Sequence, residues 1–310
     1  MELDYYIQHF SKEKKLVVLR DHCNGFDFQY NNEILSHLSQ MYDNYSVMYH
    51  QIMPPDVKLN YSNLNIKFDL DNQEYLNLNK FSQYQAAVTN KTFNNFICSF
   101  LGSGHISRQF LSSILHKTKL WNNNTCTKNF VYSKDKLDGS VNQYVSGDSE
   151  KLYINFFRND DNFNEQIFSK NYAYCANVQN LANVEQTMSG CFVTLVSETL
   201  GTSYVPFITE KFLESIVTKN LFVAYAQPNW HDAIESQYGF KLYRKIFDYE
   251  FDKISNPVYR VVRLVEMISK FQHLSSSDWH DLYLLEKDSI EYNYDHYYSK
   301  SYLKNLAKFA

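Results

Sequence analysis

The segment FVTLVSETLGTSYVPFITEKFLESIVTKNLFVAYA, residues 192–226, decides how the chain folds on paper. Its opening belongs to GCFVTLVSE (190–198), an apolar run of strand length, which suits a strand buried on both faces. Its end, LFVAYA, repeats that pattern. Between the two, Phe212, Leu213 and Ile216 recur at helical spacing, which predicts a helix over about 209–218. Strand, helix and strand here belong to a second αβ series; the same order over 15–52 predicts a βαβ unit and a parallel sheet.

One residue of this unit sits against its local electrostatics. Thr209 is a good N-cap and Glu210 suits the first helical turn. Lys211 does not, because a helix N-terminus carries partial positive charge. An anion bound there explains it; so does a Glu210–Lys211 pair on a solvated face. In the first case Lys211 neutralises phosphate and Glu210 accepts hydrogen bonds from ribose hydroxyls. The loop after Glu198, TLGTSYVPFI, is long enough to close over such a ligand.

Upstream, FICSFL (96–101) predicts a strand, GSGHIS a turn, and RQFLSSILHKTKL a helix. A Gly/Ser turn that opens a helix can cradle phosphate with its backbone N–H groups, here around Ser103 and Gly104. Arg108, just inside the helix, can add a bidentate pair. The turn is neither a Walker loop nor a full GxGxxG fingerprint, and an ordinary βα turn with a surface arginine competes. Downstream, HDAIESQYGF predicts a short helix ending near Gly239. PVYRVVRLVEMISKFQHL predicts a long amphipathic helix, and YYSKSYLKNLAKF (297–309) a final one. Residues 135–170 are polar and irregular.

The N-terminal part repeats the αβ theme. KLVVL (15–19) predicts a strand, NNEILSHLSQMYDNY a helix capped by Asn31 or Asn32, and SVMYHQI a second strand. LNIKFDLD (64–71) alternates as a half-buried strand. Its Asp69 and Asp71 fit the polar face, although a DxD pair can also hold Mn²⁺ or Mg²⁺ against a diphosphate. Asp21, in the loop after the first of these strands, sits where a general base would be placed; loop and capping chemistry competes. A polar stretch over about 72–92 separates two αβ halves, 1–90 and 91–310.

Bulk composition narrows the class. The chain has 310 residues, 44% of them hydrophobic, enough to build a core rather than remain disordered. Its net charge of −4 argues against coating nucleic acid through bulk charge. The five cysteines are widely spaced with no CxxC, so free thiols are expected rather than zinc or a disulfide framework. No signal peptide or run of about 20 apolar residues appears, and a soluble, cytoplasmic protein is expected, in the host cytoplasm if the source is viral.

Residues 192–226 also resemble the donor-site segment of α1,3-fucosyltransferase-like glycosyltransferases. There a strand ending in Phe-Glu-Asn-Ser precedes Tyr-Val-Thr-Glu-Lys, a helix and another strand. The segment is more similar still to glycosyltransferase-like proteins of large tailed phages, which carry Phe-Ile-Thr-Glu-Lys, the residues found here at 207–211. FICSFLGSGHISRQFLSSIL and GFKLYRKIFDYEFDKISNPVYRVVRLVEMI match further landmarks, so the likeness covers about 92–270. Two departures stand out: Ser-Glu-Thr replaces Phe-Glu-Asn-Ser, and AQPNWHD replaces a Gly- or Pro-rich turn.

The resemblance implies an α/β fold of two Rossmann-like domains (GT-B), with 1–90 on the acceptor side and 91–310 binding a nucleotide sugar. It implies a metal-independent glycosyltransferase with no cofactor beyond that co-substrate, acting on a glycan or a hydroxymethylated phage DNA base. Carried over by position, Arg108 and Lys211 contact the diphosphate and Glu210 the ribose. Glu198 takes the family's strand-end Glu position, and Tyr204 lies in the loop over the donor. A metal-dependent DxD transferase and a non-catalytic protein that keeps the fold are the alternatives.

Overall fold

A computed structural model describes residues 7–11, 15–19, 28–41, 43–49, 61–68, 91–101, 106–120, 125–128, 187–198 and 210–302. The first sheet has the order β1-β2-β3-β4. Strands β2 (Leu16–Leu19), β3 (Tyr45–Tyr49) and β4 (Leu64–Phe68) run parallel, while β1 (Ile7–Ser11) pairs antiparallel with β2. Helix α1 (Phe28–Met41) makes the β2–β3 crossover, so the expected βαβ unit is present. Leu35 and Leu38, one turn apart, are buried along with Val17 and Val47. The helix starts before Asn31 and Asn32, which therefore lie inside it rather than capping it.

The second sheet is parallel throughout, with the order β6-β5-β7-β8. Its strands are β5 (Asn95–Leu101), β6 (Thr125–Lys128), β7 (Cys191–Ser197) and β8 (Leu221–Tyr225). Every residue of β7 and β8 is buried, which accounts for their unbroken apolar runs. Helix α2 (Ile106–Lys117) follows β5, and α3 (Glu210–Val217) links β7 to β8. Beyond β8 come α4 (Trp230–Ser236), a 3₁₀ turn (Glu250–Lys253), α5 (Pro257–Ser269), α6 (Ser276–Leu285) and α7 (Lys287–Tyr298).

Aromatic packing joins these helices to the sheet. Phe212 of α3 is met edge-on by Phe222, Trp230 and Phe240 at 4.9, 5.3 and 5.2 Å. Trp279 of α6 stacks on Phe96 and Phe192 at 5.6 and 6.1 Å. Such pairs add about 0.5–1.5 kcal/mol each beyond the area they bury. The free side of β8 is closed by α4: Ala224 N–H donates to His231 Nε2 at 3.1 Å. A sheet edge covered in this way offers no template to another strand.

Of the final helix expected over 297–309, Tyr297 and Tyr298 belong to the end of α7, Ser301 and Tyr302 are helical, and the rest lies outside the described residues. Helix α6 and the body of α7 have no counterpart in the sequence reading. Among the described residues no helix is long and apolar enough to cross a membrane. Cys98, Cys126 and Cys191 are free, buried thiols.

Candidate site at the strand-order reversal

From β5 the chain moves outward to β6, then returns past β5 to β7. The order therefore reverses between β5 and β7, the place where a parallel sheet opens a crevice at the carboxyl ends of its strands. The connection after β5 enters α2, and the connection after β7 enters α3. Functional side chains on the first turns of α2 and α3 are thereby brought to one edge.

Arg108 is the third residue of α2 and is 3% exposed. Its Nη2 donates to the carbonyl oxygen of Ser197, the last residue of β7, at 3.4 Å. Glu198 follows directly and is fully buried; its N–H donates to Tyr225 O at 3.1 Å, fastening the end of β7 to the end of β8. Burial pushes the Tyr238 phenol well up, and the Glu198 carboxylate adds to that shift, so Tyr238 lies near Glu198. Lys211, second residue of α3, is 7% exposed, and Glu214 one turn later is 2% exposed. Lys211 and Glu214 line a small cavity of about 10 Å³ together with Thr194 and Ser197, close to the room one water needs.

These burials decide between explanations that the residue pattern left open. Lys211 is not part of a pair on a solvated face, and Arg108 is not a surface arginine. Each cation stands in the first turn of a helix, where the dipole disfavours it by about 0.3–1 kcal/mol. Removing it from water costs several kcal/mol more, unless negative charge answers it. Glu198 and Glu214 supply two buried acids in the same neighbourhood.

Other expected residues are not placed. Ser103, Gly104, Tyr204 and Thr209 lie outside the described residues, as do Asp21, Asp69 and Asp71. Glu210 opens α3, and only its backbone is described. Two neighbours went unread in the sequence. Glu214 was legible as the i+3 partner of Lys211 on one helix face. Tyr238 comes from the turn after α4, and no local pattern links it to Glu198.

A buried His–carboxylate pair nearby looks catalytic and is not. His231 Nδ1 lies 2.8 Å from Asp252 Oδ1, and its Nε2 accepts the Ala224 N–H. A backbone N–H can only donate, so the ring proton is on Nδ1. Both nitrogens are occupied, and the ring is 0% exposed. The pair is a lock between β8, α4 and the 3₁₀ turn.

At the opposite edge of the sheet, Lys91 Nζ donates to Lys219 O at 3.1 Å and to Asn220 Oδ1. Asn220 in turn donates to Thr194 Oγ1 at 3.0 Å and to Met188 O. Burial pulls the Lys91 amine down to about 7, against an ordinary 10.5. Among the described residues no group of three or more His, Cys, Asp or Glu is disposed to hold a metal ion. Comparison with family models, curated proteins and solved structures gave no match.

Proposed function

We propose that the protein is a glycosyltransferase that binds a nucleotide-diphosphate sugar at the reversal between β5 and β7. One observation carries this reading: two buried cations, Arg108 and Lys211, occupy the first turns of the two helices flanking that crevice. A diphosphate is an anion that both can meet. The acceptor hydroxyl, on a glycan or a hydroxymethylated DNA base, attacks the anomeric carbon. A base removes its proton, with Asp21 the residue to test, and the bond to the diphosphate breaks. Arg108 and Lys211 then stabilise the charge that develops on the leaving diphosphate. Glu210 is assigned to the ribose; Tyr204, Thr209, Ser103 and Gly104 are assigned to the loops around the donor. Two Rossmann-like domains in a GT-B arrangement, divided near residue 90, fit this division of labour.

The test is a melting-temperature screen of UDP-, GDP-, dTDP- and CMP-linked sugars, with and without EDTA. A ligand at 100 times its Kd stabilises by about 2.7 kcal/mol. One nucleotide class is expected to shift the wild type and to lose that shift in Arg108→Ala and Lys211→Ala. Persistence of the shift in EDTA separates this mechanism from a metal-dependent one through Asp69 and Asp71. A second reading rests on Glu198 and Glu214, whose buried negative charge balances the two cations. A purely structural charge cluster of that kind predicts no shift with any nucleotide.

A further inference from the structure

A second cleft lies on the outer side of α5, built by residues other than those of the nucleotide site. Its volume is about 320 Å³, at the lower end of small-molecule pockets. The floor is apolar: Phe251 and Met267 line it and are 5% and 7% exposed. The rim is charged with both signs, from Asp248 and Glu250 on one side and from Arg263, Glu266 and Lys270, along α5 and its C-cap, on the other. Two of the rim acids are paired locally. Arg263 Nη1 meets Glu266 Oε2 at 2.7 Å, and Glu250 Oε1 meets Lys253 Nζ at 2.9 Å.

With Lys253 counted, three acids (Asp248, Glu250, Glu266) face three bases (Lys253, Arg263, Lys270), so the rim offers no net charge to a ligand, yet it presents many donors and acceptors. A carboxylate has about four acceptor positions and a guanidinium five donors, so the pairs leave capacity over. Hydroxyl groups, which both donate and accept, are the partners such a rim satisfies best. The floor suits the C–H face of a ring. One turn before Arg263 on the same helix face, Tyr259 stands 65% exposed. It is the most exposed of the large hydrophobic residues described, a flat stacking surface one turn from a residue that lines the cleft.

We infer that this cleft binds a neutral, polyhydroxylated ring, that is, an uncharged carbohydrate. The inference goes beyond the nucleotide site and shares no residue with it. Saturation-transfer NMR on the full chain with lactose, maltose, cellobiose and chitobiose tests it, with titration of whichever disaccharide responds. Transfer to ring C–H protons of at least one disaccharide is expected, with affinity reduced tenfold or more in Tyr259→Ala and in Arg263→Ala/Glu266→Ala. All three residues are exposed, so these variants keep the fold. Absence of transfer from every disaccharide would overturn the inference, as would transfer unchanged in both variants. Tighter binding of glucuronate or glucosamine than of glucose would overturn the neutral class. Nucleotide-induced melting shifts, read on the same preparations, report the other site separately, so failure of either is distinguishable.

Discussion

At the scale of single residues, buried polar groups carry the sharpest consequences. Among the described residues Lys91 has only neutral acceptors for its amine, Lys219 O and Asn220 Oδ1, beside the Tyr283 ring. The charged groups facing it are Lys219, which lowers its proton affinity, and the Cys98 and Cys191 thiols, which raise it slightly once ionised. A folded-state value near 7 against 10.5 unfolded means that the unfolded chain binds more protons between those limits. Stability therefore rises with pH across about 7 to 10.5 and is lost as pH falls through the folded value. Measured by urea denaturation, wild type minus Lys91→Met should climb by up to about 1.4 kcal/mol per pH unit in that window. A flat difference would mean that the amine is charged in the fold. His231 gives a second test. Replacing it with alanine strips the Ala224 N–H and the Asp252 carboxylate of a partner each, for a loss of about 2–4 kcal/mol. A loss below about 1 kcal/mol in the same assay would show that water replaces the ring.

At the scale of elements, some of the architecture was legible and some was not, for identifiable reasons. Strands β5, β7 and β8 are buried along nearly all of their lengths, so their residues are mostly apolar and gave a clear signal. Helix α5 buries one face and exposes the other, which left a clear period; α3 is buried at every side chain described, yet Phe212, Leu213 and Ile216 still recur at helical spacing. Strands β1 (IQHFS) and β6 (TCTK) are short and polar edge strands, and their sequences do not distinguish them from loops. Helix α6 (SSDWHDLYLL) buries only Tyr283 fully, so its apolar residues follow no single face. What fixes α6 is its ends. Ser275 and Asp278 form a capping box, Ser276 Oγ donates to Phe93 O at 2.7 Å, and Trp279 Nε1 donates to Phe271 O at 2.9 Å. Ser275→Ala should cost about 1 kcal/mol in thermal unfolding, with nucleotide-induced shifts unchanged. No loss would place the stability of α6 in its aromatic contacts alone.

At the scale of the whole molecule, the two sheets differ in what they offer a ligand. The reversal of strand order in the second sheet could not be read from the sequence, because order is set by which strands pair and not by local pattern. Lys211 was legible as a misplaced cation and Arg108 as a phosphate partner after a Gly/Ser turn, yet only that reversal brings α2 and α3 to one crevice. Tyr238 joins them through tertiary packing alone. The first sheet has no such reversal among its described strands, since β2, β3 and β4 lie side by side in chain order. Ligand-dependent protection should therefore be uneven. In hydrogen–deuterium exchange with the nucleotide sugar that raises Tm, peptides spanning β5–α2 and β7–α3 should exchange more slowly. Peptides from β1 to β4 should change little in the absence of acceptor. Binding at helix N-termini acts through amides that have no partner within their own helix, so the largest effect belongs in the first turns of α2 and α3. Protection confined to residues 7–68 would move the donor site to the first sheet and leave Arg108 and Lys211 as structural charges answered by Glu198 and Glu214.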